Sequence, residues 1–159
     1  MAIKIGHVVK RLLISPLFPW LLLILWWLSV WAMPESYWFS TKLQVEDTIQ
    51  NNVPRVSVEK WANRTFIGHW NMTVYRTNNE TGLIDAVCRA SGVEQQLPNA
   101  GHVEKTTLSW WFDGSTCIRE LIPGDYFLEE DIGWNVMQLF YKQIIVRSNI
   151  FRVSLPFIP

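Results

Sequence analysis

The chain begins without any polar period and then changes to alternation. No charged residue occurs between Arg11 and Glu35, and Leu12–Pro34 is apolar apart from Ser15 and Ser29. A hydrocarbon core of about 30 Å needs roughly 20 apolar residues at about 1.5 Å each. A lone span must satisfy every backbone group within itself, so the run predicts one transmembrane signal-anchor helix over residues 12–34. Pro16 and Pro19 mark its first turn or a kink. Trp31 and Trp38 suit the far interface, where an indole keeps its N–H wet.

Residues 35–52 mix polar and apolar positions without a clear period and read as a stalk, with a short helical piece around Val45–Ile49. After Pro54 the period becomes two. Val56 and Val58 share one face of a first strand, Arg55–Lys60. Phe66–Thr77 is the clearest strand: Phe66, Trp70, Met72 and Val74 lie on one face, and His69, Asn71 and Thr73 on the other. The turn residues Asn78–Gly82 lead into a return strand, Leu83–Ala90, with Ile84, Ala86 and Cys88 facing the core. Ser91–His102 reads as a loop because it holds Gly92, Pro98 and Gly101.

Glu104–Phe112 alternates again, with Leu108, Trp110 and Phe112 inward, and Asp113-Gly114 signals a tight turn. Thr116–Leu121 then carries Cys117 back, and Pro123-Gly124 turns the chain into Asp125–Trp134, whose inward set is Tyr126, Leu128, Ile132 and Trp134. Lys142–Ser154 is strand-rich, with a bulge or corner at Ser148-Asn149. About seven strands with turn signals roughly every 8–12 residues predict an antiparallel β-sandwich of immunoglobulin-like type over residues 53–159. The cysteine pattern departs from that of antibody domains, because Trp110 and Trp111 fall just before the second cysteine and the two cysteines lie close together.

Charge gives the span a direction. Lys4, Lys10 and Arg11 precede it within the basic N-terminus, residues 1–11, and Glu35 is the first charge after it. The positive-inside rule then leaves the N-terminus in the cytoplasm, anchors residues 12–34 in the inner (plasma) membrane, and exports residues 35–159 to the periplasm or cell exterior. Cleavage after Ala32 is the alternative, and it exports the same domain. The formal net charge of zero conceals an asymmetry: the exported part carries eleven basic residues against fourteen acidic, or −3. With no basic run beyond Arg11, nucleic acid is not an expected partner. In an oxidising compartment Cys88 and Cys117 are expected to form a structural disulfide.

Few residues offer chemistry. Glu129, Glu130 and Asp131 are the densest acidic group, but only Glu129 and Asp131 share a strand face, and with Asp125 they make at most a weak calcium-type cluster. The expected reading is a solvated strand edge that discourages sheet pairing. His69 has no nucleophile elbow near it, and no phosphate loop, H-E-x-x-H or C-x-x-C motif occurs. Neither catalytic residues, metal ligands nor a cofactor are therefore expected. Trp110 and Trp111 are the candidate binding residues, since alternation exposes one of any adjacent pair and exposed tryptophans dominate interface hot spots. Packing of that tryptophan under a loop is the competing expectation. Asn63, Asn71 and Asn79 each begin an Asn-x-Thr sequon, meaningful only in a glycosylating host. The compact single-span layout points instead to a bacterium or phage. The expected function is a single-pass, membrane-anchored binding or scaffold module of an envelope complex, touching lipid through residues 12–34 and a protein partner through the sandwich. Two alternatives stay open: an accessory subunit whose helix packs against a larger membrane protein, and a hydrolase of envelope glycan.

Overall fold

In the computed structural model the described residues are 16–46, 54–78, 81–113, 117–118 and 121–154. The chain divides into two compact units, Met1–Pro34 and Glu35–Pro159.

The first unit contributes helix α1, Phe18–Ala32. It starts where Pro19 can occupy the first turn, since its missing N–H would have no intrahelical partner there anyway. It stops because the residue before a proline is pushed to extended backbone: Met33, preceding Pro34, has φ −63° and ψ 131°. The fifteen residues of α1 rise about 22 Å, shorter than the helix expected over 12–34, and residues 12–15 lie outside the described residues. Among the described residues no helix is long and apolar enough to cross a membrane. The helix is apolar around its whole circumference, with Trp20, Leu22, Leu25, Trp26 and Trp31 all exposed.

The second unit is mainly β. Its elements are α2 (Glu35–Trp38), β1 (Phe39–Val45), β2 (Arg55–Ala62), β3 (Phe66–Thr77), β4 (Ile84–Gln96), β5 (Asn99–Thr107), α3 (Leu108–Trp111), β6 (Gly124–Val136), β7 (Phe140–Arg147) and β8 (Phe151–Val153). One sheet has the order β1-β2-β5. The other runs β4-β3-β6-β7, with β8 pairing β6 beyond the end of β7. Every pairing is antiparallel. Leu43, Val45, Val56 and Val58 of the first sheet meet Met72, Val74, Cys88, Tyr126, Leu128, Phe151 and Val153 of the second in one core. The expected sandwich is present, and its best-patterned strand has the expected bounds, Phe66–Thr77.

Four expectations are corrected. The stalk does not begin at Glu35: Phe39–Val45 is a strand with alternating burial, paired with β2 from Phe39↔Ala62 to Val45↔Val56, while residues 47–53 lie outside the described residues. The return strand continues through Ser91 to Gln96 instead of ending in a loop, and β5 begins at Asn99. Gly92 is the reason the pattern misleads. A Cβ there would meet the Trp70 indole at 2.7 Å, so this glycine lets a large ring lie against a strand and does not end one. A register shift after Val74 leaves Ile84 and Ala86 exposed, and Cys88 alone of its expected trio is buried. Finally, the strand expected to run to Phe112 ends at Thr107, and the described residues of 116–121, namely 117–118 and 121, are not strand.

Two local devices hold the frame. Cys88 and Cys117 are disulfide-bonded with Cα atoms 5.6 Å apart, tying the connection after α3 to β4. The side chain of Asn149 acts as a short piece of strand on the open edge of β1: its Oδ1 accepts from Val45 N–H at 2.8 Å and its Nδ2 donates to the Val45 carbonyl at 2.8 Å. At the β6–β7 turn Met137 and Gln138 have φ of 51° and 60°, and Leu139 N–H closes the turn on the Val136 carbonyl at 3.0 Å. Two successive left-handed residues give the primed turn that matches strand twist, a position normally held by Asn-Gly.

Replacing both cysteines by alanine should lower unfolding free energy by about 3–4 kcal/mol for a bridge spanning 29 residues, readable as a fall in the denaturant midpoint. Gln138→Gly removes a left-handed side chain and should raise that midpoint by about 1 kcal/mol equivalent; a decrease would contradict the turn geometry.

Candidate functional site

The two tryptophans singled out by sequence lie in α3, a single helical turn entered from the extended backbone of Thr107. Because a helix rotates about 100° per residue, neighbours diverge while positions three apart share a face. Leu108 and Trp111 therefore point into the core together, and Trp110 turns outward. Trp111 is 6% exposed and Trp110 is 56% exposed. The expectation that Trp110 faces inward is thus corrected, and Trp111 is a packing residue and not a binding surface.

Trp111 is what makes Trp110 rigid. Its ring meets Trp70 of β3 edge-on at 5.6 Å and Trp110 edge-on at 5.1 Å, and Lys60 Nζ of β2 lies 5.2 Å from its centroid. One indole thus touches both sheets. Leu108, Phe112, Ile118 and Leu121 join it in the core, and the disulfide fixes the segment from the far side. The structure accordingly brings Trp110, Trp111 and the Cys88–Cys117 bridge into one region, with Trp110 as its projecting member.

Beneath this region lies a polar layer that the sequence pattern did not isolate. Lys60, on the inward face of β2, is buried and donates to Glu94 Oε2 of β4 at 2.7 Å. Glu130 of β6 is fully buried; Thr41 of β1 donates to its Oε2 at 3.4 Å, while its Oε1 has no hydrogen-bond partner. Burial pushes the Glu130 carboxyl above the ordinary glutamate value, against the opposing pull of Lys60 and the Thr41 hydroxyl, and the nearby Glu94 and Glu104 carboxylates add to the rise. The signal for this residue was available in the alternation. Glu130 shares parity with Tyr126, Leu128, Ile132 and Trp134, the inward set of β6, and so had to face the core with them.

The expected solvated strand edge is corrected: β6 is paired on both sides, by β3 and β7, and Glu130 is buried, while the outward carboxylates are each held separately. Arg147 Nε donates to Glu129 Oε2 at 2.7 Å, Gln143 Nε2 to Asp131 Oδ1 at 2.7 Å, and Arg152 to both oxygens of Asp125 at 2.7 and 3.2 Å. The calcium-type cluster does not form: among the described residues no group of three His, Cys, Asp or Glu converges as a metal site. The Asp125–Arg152 pair lines a shallow cleft of about 700 Å³ together with Arg76 and Asp85. His69 is exposed on β3, Asn71 is exposed beside it and Asn63 is half-buried in the β2–β3 turn; Asn79 lies outside the described residues.

No protein-family model matches the chain, and no curated protein matches it. Several solved structures are similar. One is the ASH/PapD-like domain 7 of human CEP192, at 13% identity over 78% of this chain and 90% of that one, with a TM-score of 0.47. Another is CsgH of R. palustris, at 13% identity over 68% and 90%, with a TM-score of 0.36. A third is a putative late embryogenesis abundant protein, at 10% identity over 74% and 72%, with a TM-score of 0.42.

The sign of the Glu130 effect follows from linkage. With its folded carboxyl raised above the unfolded value, the native state binds the extra proton, so stability falls as pH rises from the unfolded value to the raised one and stays lower above it. Glu130→Gln should remove that loss. Its melting temperature should exceed wild type at neutral pH, and the difference should shrink towards zero below about pH 4. A variant less stable than wild type at pH 7 would show that the charged form is favoured in the fold.

Proposed function

We propose that the chain is a membrane-anchored binding or scaffold module of an envelope complex, bacterial or phage-encoded and non-enzymatic, with its sandwich on the extracytoplasmic side and Trp110 as its protein-contact anchor. The observation that carries this reading is the exposed Trp110 indole held on a turn whose Leu108 and Trp111 are locked into the core. Large aromatics that are rigid before binding lose little conformational entropy on association and form the centre of interface hot spots. Support for export comes from the order of basic residues, uncharged run and acidic domain, and from a disulfide that persists in oxidising compartments. Support for an anchor comes from the uncharged length of Leu12–Pro34 and the all-round apolarity of α1. Outward carboxylates that are each engaged by an Arg or Gln neighbour favour binding over glycan hydrolysis, which needs two carboxyls facing one bond.

Two measurements on the full chain separate the parts of this reading. Trp110→Ala should reduce recovery of the co-purifying envelope protein from mild detergent by roughly thirtyfold, the effect of a hot spot of about 2 kcal/mol. Equal recovery with the disulfide intact rules out Trp110 as the contact. Wild-type protein should stay in the membrane pellet after an alkaline wash, and its release would remove the anchor.

A further inference from the structure

The strand registers gather one set of turns at a single end of the sandwich. Phe39 pairs with Ala62, and Ala62 with Asn99. Phe66 pairs with Gln96, Gly68 with Trp134, and Val136 with Phe140. The β2–β3, β4–β5 and β6–β7 turns therefore share the end at which β1 starts, with Phe39, Phe66 and Trp134 packed edge-on or stacked at 5.3–5.8 Å beneath them.

That end is apolar on its surface. Leu97 projects from the β4–β5 turn, Met137 and Leu139 from the β6–β7 turn, and Tyr37, Ile67 and Tyr141 flank them, all exposed. Met137 stands at a left-handed position that favours Asn or Gly, so an exposed apolar residue sits where both conformation and solvent argue for a polar one. Arg64, also exposed at this end, holds its guanidinium 6.0 Å from the Trp38 ring. Leucine and methionine tips with tyrosines and an arginine beside them are the chemistry of a bilayer interface, while the Trp38 ring under Arg64 is itself buried. By sequence, the domain is entered at this end: β1 begins five residues after Pro34, the last residue of the uncharged run.

We propose that this end is a lipid-docking surface, in which the Leu97 and Met137–Leu139 turn tips enter the headgroup region of the membrane that holds the anchor. The inference rests on the anchored reading above. A docked end would fix the height and tilt of the sandwich over the lipid, leaving Trp110 facing partners in a set orientation.

The test uses the full chain, reconstituted in vesicles of phosphatidylethanolamine and phosphatidylglycerol with no other protein. A polarity-sensitive dye is placed by Leu139→Cys or Leu97→Cys, and as a control by Leu83→Cys in the turn at the opposite end of β3. Leu139 and Leu83 are matched, at 60% and 62% exposed. The expected result is blue-shifted emission at 139 and 97, with several-fold stronger quenching by shallow lipid-borne bromines than at 83. Emission as wet at 139 and 97 as at 83 overturns the proposal. An alkaline wash of the same vesicles reads the anchor separately, so retention with wet emission rejects the docking alone, whereas release with quenched emission rejects the anchor and keeps the docking. Two positions on different turns guard against one variant failing to fold.

Discussion

The contact on which the sandwich depends is the seating of Trp111 between its two sheets. A two-sheet fold has one covalent problem, the passage of the chain from one sheet to the other. Here the chain makes that passage three times, at β2–β3, β4–β5 and β5–β6, and the longest runs from β5 to β6 through α3 and the segment after it. Trp111 closes it by touching Lys60 on one sheet and Trp70 on the other, and the Cys88–Cys117 bridge pins the same segment to β4. The apolar side chains Leu108, Phe112, Ile118 and Leu121 turn the passage into core. Burying that set is worth roughly 1.5–3 kcal/mol per side chain, far more than any exposed ion pair at the surface supplies.

The same neighbourhood contains the least comfortable group in the protein. A fully buried carboxyl is costly unless paired, and Glu130 has one weak hydroxyl partner and a lysine whose closest contact is elsewhere. Lys60 therefore serves two masters: it bonds Glu94 and offers its charge to Glu130 while lying against the Trp111 ring. Polar groups of this kind restrict how two sheets can slide over one another, because any other register would leave them unpaired. The layer thus trades stability for a single arrangement of the sheets, and that arrangement keeps Trp111 seated and Trp110 directed outward.

Much of this frame was legible in the sequence, and the failures have physical causes. Phe66–Thr77 is legible to the residue because Phe66, Trp70, Met72 and Val74 alternate with His69, Asn71 and Thr73 ahead of a clear turn, and the Ser148-Asn149 corner is legible because the apolar period breaks there. The sequence pattern ends β4 at Ala90 because Gly92, needed for the approach of Trp70, cannot be told from a turn glycine without its partner. Residues 35–52 read as a stalk because the seven residues of β1, with Thr41 and Gln44 among them, carry too weak a period; only pairing with β2 defines that strand. A strand period places Trp110 inward, and one helical turn reverses it. The inward Glu130 was the one site residue whose parity was visible and whose charge concealed it, since a strand of three adjacent acids reads as solvated.

Edges complete the physical logic. In an open sandwich each outer strand presents unpaired backbone groups that invite pairing with other chains. On the side of β4 and β5 the α3 segment and its disulfide occupy the flank. At the far end of the first sheet the protein uses one amide: Asn149 meets the N–H and carbonyl of Val45 as a neighbouring strand would. That amide comes from the β7–β8 corner, in the opposite sheet, so it blunts an edge and couples the sheets by the same two bonds. A backbone interruption that looks like a defect in the strand pattern, Ser148-Asn149, is therefore needed to bring the amide there. The amide thus blocks strand addition at Val45, the last residue of β1, with the two bonds that tie the sheets together.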